Sequence, residues 1–223
     1  MIHGSEKHIP LKFTELDEKT MLSNSREFLS NIKMRRTVRD FSGKAVPEEI
    51  IINAVKAAAT APNGANLQPW HFVIIKDQKL KSELRRLSEE REGKFYSERA
   101  PEEWLNDLKH LGTNAQKPFL EEAPYIIVVF EKKWDVLENG KKKKLYYTKE
   151  SVGIATGILI IALHSSGLAT LTYTPENMLF LNELLNRPKN EKPFLLVIAG
   201  FPKEGTRVPD ITKKDFDEIA EII

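Results

Sequence analysis

The sequence predicts an α+β layered fold in a single domain over residues 1–223. Three observations carry this. Strand-like and helix-like stretches mix without regular βαβ alternation. No Gly-x-Gly-x-x-Gly follows a strand, which sets a Rossmann reading aside. No Pro/Ser/Gly-rich linker divides the 223 residues, a length that can bury one sizeable core. Within the domain we expect an N-terminal arm and helix over 1–32, a candidate lid over 89–117 and a C-terminal arm over 203–223.

Taken in order, Met1 to Phe13 is too short and proline-broken for a packed helix and reads as an arm or a frayed end. Leu16 to Ile32 places apolar residues at helical spacing and leads into Arg35, Arg36 and Arg39. Pro47-Glu48-Glu49 opens the next helix, with Ile50, Ile51, Ala54, Val55 and Ala58 on its buried face. It breaks at Pro62-Asn63-Gly64-Ala65-Asn66, where tight turns and close backbone approach are tolerated. His71 to Ile75 is a strand. Gln78 to Glu92 is an amphipathic helix with Leu80, Leu84 and Leu87 inward, and Gly93 and Pro101 weaken any continuation into the charged stretch up to Lys117. Pro124 to Glu131 is a buried strand by its β-branched run. Lys141 to Lys144 form a basic loop after Asn139-Gly140. The apolar helix of residues 151–167 ends at Gly167, and Gly153 and Gly157 leave room for close helix packing, as a core helix or a dimer seam. Leu168 to Thr172 and Phe194 to Gly200 are two more strands, with a helix from Glu176 to Leu185 between them.

Composition excludes several classes. Charged residues make up 30% of the chain but the net charge is only +2, so nothing points to nucleic acid. With no cysteine, thiol catalysis, disulfides, iron–sulfur clusters and thiolate zinc sites are excluded together. Five scattered histidines lack a metal-site spacing. No run approaches a membrane span and no signal peptide opens the chain, so the expected location is cytoplasmic.

Guanidinium groups suit the bidentate bonding that a phosphate monoester offers. Three arginines within five residues can equally be a solvated surface, and Pro-Asn-Gly an ordinary turn. Together, however, the arginine cluster, the Thr60-Ala61-Pro62-Asn63-Gly64-Ala65-Asn66-Leu67-Gln68-Pro69-Trp70 segment and the strand after it resemble the FMN-dependent nitroreductase superfamily, from about Lys33 to Lys214. Within it the chain looks most like the iodotyrosine deiodinases. That resemblance implies a mixed, largely antiparallel sheet flanked by helices in an intertwined homodimer. Vertebrate deiodinases carry a membrane anchor ahead of the catalytic domain, so a soluble microbial relative is implied.

By the same resemblance, Arg35, Arg36, Thr37 and Arg39 would line FMN, and Pro62, Asn63 and Gly64 would close over its ring. Asn63 stands where serine is common. Thr172, Tyr173 and Thr174 would form the other wall, and Lys213 would reach the phosphate. A Thr174 hydroxyl donating to flavin N5 would favour one-electron steps; capping the Glu176 helix is its structural alternative. Glu92 and Tyr96, four apart, share a helix face. With Lys117 they would hold the two charges of an amino acid, Glu92 on the ammonium, Tyr96 and Lys117 on the carboxylate. Trp104 would cover the substrate ring, and the Ala65 N–H would meet its phenolate oxygen. Gly93 departs from the bulkier residue expected there.

The implied function is reductive dehalogenation of halotyrosines through reduced FMN, 3-iodotyrosine giving tyrosine and iodide, with NAD(P)H or a reductase as electron donor. A generic nitro- or quinone reductase and a non-catalytic flavin-binding protein are the alternatives. A nucleic-acid patch at Lys141 to Lys144 beside Tyr146 and Tyr147 is the remaining one, against which stands an ordinary solvated loop.

Overall fold

A computed structural model describes residues 8–223; the first part of the expected N-terminal arm, residues 1–7, lies outside the described residues. The chain falls into two units divided after Met34. In the first, α1 (Glu18–Lys33) is capped by Asp17, whose carboxylate accepts from the Thr20 N–H at 3.0 Å, and none of its residues is buried.

The second unit, Arg35–Ile223, is organised around β2 (Tyr125–Lys132) and β6 (Glu191–Gly200). With β1 (Trp70–Ile75) and β5 (Ala169–Tyr173) they form a sheet of order β1-β2-β6-β5, each neighbouring pair antiparallel. A parallel bridge between Thr37 and Thr170 lies next to β5, so the expectation of a largely antiparallel sheet with a mixed edge holds. Period-two alternation divides the central strands between two cores. Ile126, Val128 and Phe130 enter one, Ile127 and Val129 the other, as do Leu196 and Ile198 against Val197 and Ala199.

Helices cover both faces. α2 (Glu48–Ala58) and α6 (Thr148–Ser165) pack with the Ile127 side through Ile51, Ala54, Ala58, Val152, Leu159 and Leu163. The other face is covered by α3 (Gln78–Lys94) through Leu84, α5 (Phe119–Glu122) through Phe119 and Leu120, and α7 (Phe180–Leu184) through Phe180 and Leu181. Each fully buried large aliphatic side chain contributes about 1.5–3 kcal/mol relative to exposure. Among the buried carboxylates, Glu131 is paired with Lys133 and Thr148, and Glu191 bidentately with Arg187 at 2.7 and 2.9 Å.

Three expectations need correction. α3 runs through Gly93 to Lys94 and continues as a π turn, Phe95–Arg99; only Pro101, at the cap of α4 (Glu102–Lys109), interrupts it. One glycine costs too little to break a helix of this length. The basic loop is partly a hairpin, β3 (Trp134–Val136) against β4 (Lys142–Lys144). The Glu176–Leu185 helix shrinks to α7, because Asn177 is left-handed at φ 48° and the residues before Phe180 form turns. Thr174 therefore caps no helix. α6 is a core helix, as expected, while a Cβ on Gly153 or Gly157 would meet no atom within 4 Å, so these two glycines adjoin open space in the single chain. Gly167, at φ 80° just beyond α6, takes the left-handed cap position expected of it.

Candidate functional site

The site grows from one stripe of α3. Leu84, Ser88 and Glu92 recur every fourth residue and all are buried, so the helix period carries a carboxylate indoors at the end of an otherwise core-facing row. The π turn that follows keeps Tyr96 on the same side of the chain. Opposite stands Lys117, in the turn that leads into α5. Its backbone N–H donates to Glu89 Oε1 at 2.6 Å, and its Nζ donates to the Asn114 carbonyl. Lys117 is 3% exposed and Glu92 8%, and their charged ends lie 3.3 Å apart. The ammonium also stands 5.6 Å from the ring centres of both Tyr96 and Tyr173.

These groups line a cavity of about 240 Å³ together with Arg39, Trp104, Thr172 and Thr174. Trp104 is half-exposed and packs edge-on against Phe95, ring centres 4.8 Å apart. Burial lowers the Lys117 pKa, with Glu92 opposing it, and burial raises that of Tyr96. For Arg39 burial works against the charge while Tyr96 and Asp40 favour it. A carboxylate and an ammonium that neutralise each other inside aromatic walls can exchange partners with a dipolar ligand, which no single fixed charge could hold by both ends.

The remaining candidates divide. The arginine segment runs beside β5: the Val38 N–H donates to the Thr170 carbonyl at 3.1 Å and Phe41 bridges Pro202. Arg36 donates to the Pro209 carbonyl of the C-terminal arm. Arg35 and Arg39 make no ion pair or hydrogen bond within the described residues, which leaves both guanidinium groups available to an anion and fits the phosphate and polar ring edge of a phosphorylated flavin. Thr172 and Thr174 are exposed on one face of β5 and its continuation, while Tyr173 alternates to the other. The residues Pro62, Asn63, Gly64 and Ala65 do not line this cavity. Asn63 Oδ1 accepts from the Gln68 N–H at 2.8 Å, and Ala65 and Asn66 are left-handed at φ 48° and 54°. A Cβ on Gly64 would come within 2.9 Å of the Tyr147 ring and 3.2 Å of the Tyr146 ring, so a larger residue there would have to displace these two exposed tyrosines. Lys213 lies exposed on the C-terminal arm and does not line the cavity.

Sequence reasoning placed Tyr173 on the flavin wall and missed that its hydroxyl lies 3.3 Å from Glu92 Oε1. Strand alternation between two threonines was the signal that could have separated it from them.

Comparison with known proteins adds a second line. The Nitroreductase family model matches residues 32–201. An iodotyrosine deiodinase of Haliscomenobacter hydrossis is 50% identical over 207 residues, 93% of either chain. Iodotyrosine deiodinase 1 of Homo sapiens is 42% identical over 214 residues, which are 96% of this chain and 74% of that one. Among solved structures, oxidized iodotyrosine deiodinase bound to FMN and 3-iodo-L-tyrosine matches with a TM-score of 0.74 at 32% identity, covering 87% of this chain and 100% of that chain.

Proposed function

This chain belongs to the nitroreductase family, and from that premise we propose how it removes halide from halotyrosines. It is an FMN-dependent oxidoreductase of the iodotyrosine deiodinase type. In the overall reaction a carbon–iodine bond breaks, iodide leaves with the bonding pair, and two electrons and a proton enter to form the carbon–hydrogen bond of tyrosine. FMN, when bound, supplies those electrons in single steps.

The observation that carries the reading is the Glu92–Lys117 pair inside the aromatic cavity. Glu92 takes the substrate ammonium, while Lys117 and Tyr96 take its carboxylate. Trp104 covers the aromatic ring and excludes water, which strengthens every charge contact beneath it. The Ala65 N–H binds the phenolate oxygen and so favours the ionised phenol. Arg35, Arg36, Thr37, Arg39 and Lys213 would hold the phosphate and polar edge of FMN. Pro62, Asn63 and Gly64 would cover one side of its ring and Thr172 and the Tyr173 backbone the other, and the Thr174 hydroxyl would be the donor that favours one-electron steps.

The working form is a homodimer. The Pro62–Ala65 turn does not reach the cavity that Arg39 lines, and Gly153, Ile154 and Gly157 of α6 border open space in the single chain. A second copy would bring the two halves of the flavin site together. NAD(P)H or a reductase supplies electrons to it.

The test is anaerobic reduction of the flavin-loaded protein followed by mixing with 3-iodotyrosine or with 2-iodophenol, which lacks both charged groups. Rapid return of oxidised-flavin absorbance with iodotyrosine, and slow return with the phenol, is expected. Equal rates would instead favour a generic nitro- or quinone reductase, and no reoxidation a protein that only binds flavin.

A further inference from the structure

Glu92 has two partners of different kinds. Its Oε2 faces the Lys117 ammonium at 3.3 Å, a cation that an incoming carboxylate can draw away. Its Oε1 faces the Tyr173 hydroxyl, also at 3.3 Å, a neutral donor whose ring is 9% exposed and packs edge-on against Phe119 with centres 5.4 Å apart. Lys117 sits on a turn; Tyr173 sits on β5, whose backbone is paired with β6 through Leu196.

We propose that Tyr173 is a positioning residue that sets the substrate class, holding the Glu92 carboxylate open for an α-ammonium while Lys117 changes partner. This rests on the reading of Glu92 as the ammonium's ligand. Without the phenol, Oε1 would lose the donor that meets it in this structure. The carboxylate would then turn both oxygens to Lys117, and a zwitterion would have to break a tighter internal pair before binding. A phenol suits this role because it orients the carboxylate without neutralising it. Burial and the Glu92 charge both raise the Tyr173 pKa far above an ordinary tyrosine, so the group remains a donor at any working pH. The ring meanwhile forms one wall of the cavity and faces the Lys117 ammonium at 5.6 Å, so loss of the hydroxyl alone leaves that wall in place.

The experiment is steady-state dehalogenation by flavin-loaded Tyr173→Phe and wild-type protein, on 3-iodotyrosine and on 2-iodophenol, with flavin content and Tm measured on each preparation. For iodotyrosine, KM should rise about tenfold, the worth of a hydrogen bond to a charged group, with a smaller fall in kcat and a change about fivefold smaller for 2-iodophenol. Adding Tyr173→Phe to Glu92→Gln should move KM by less than about twofold, because the two act through one contact. Tyr173→His keeps a ring and a donor, so its KM should fall between wild type and Tyr173→Phe; a value as high as that of phenylalanine overturns the inference. So does an equal KM change for both substrates, or no change for iodotyrosine, while the proposed function stands. If wild-type protein itself fails to prefer iodotyrosine over 2-iodophenol, both fall.

Discussion

Lys117 holds an ammonium where burial opposes it and Glu92 supports it, and the balance lowers its pKa below the 10.5 of an ordinary lysine. Between the lowered value and 10.5 the unfolded chain binds the extra proton, so this group makes folding stability rise with pH in that window. Substrate binding responds with the opposite sign, because the carboxylate needs the charged form. KM for halotyrosine should therefore climb on the alkaline side, and in Lys117→Arg the climb should move to higher pH, since guanidinium does not titrate there. A limb that stays in place belongs to the substrate's own ammonium. Lys117→Ala should raise KM for iodotyrosine about a hundredfold, the cost of a lost charge-assisted contact and an orphaned Glu92, and far less for a nitroarene. Steady-state kinetics on both substrates checks this.

The α3 helix carries most of the site, and its one weak point is replaceable. Gly93 lies within α3, and a Cβ there would meet nothing within 4 Å. Gly93→Ala should stabilise the protein by about 1 kcal/mol and raise Tm by about 2–4 °C in a chain of this size, as a thermal melt would show. Elements of this kind were legible because their patterns are local: the inward Leu80, Leu84 and Leu87 of α3 and the β-branched run of β2 announce themselves within a dozen residues. The β3/β4 hairpin was not. Its Trp134↔Lys144 register leaves the three lysines exposed, and a run of like residues carries no alternation to read. The Glu92–Tyr173 contact spans 81 positions and the Glu92–Lys117 pair crosses the whole lid, so the residue types could be nominated from sequence but their meeting could not be derived from it. The shortened α7 was hidden because Asn177 carries its left-handed backbone without a glycine to announce it.

At the scale of the molecule, the cavity walls belong to one chain while the glycine turn lies elsewhere, against Tyr146 and Tyr147. If a second copy completes the flavin site, subunit association and cofactor retention should fail together. Ile154, 45% exposed on α6, is the place to test it. Ile154→Lys should yield a monomer by light scattering that keeps its circular dichroism and loses its flavin. The Arg36 guanidinium, bound to the Pro209 carbonyl, ties the last segment of the chain to the arginine cluster. An affinity tag is therefore better carried at the opposite terminus, and protein truncated after Val208 should leave the purification column colourless where the intact polypeptide emerges yellow.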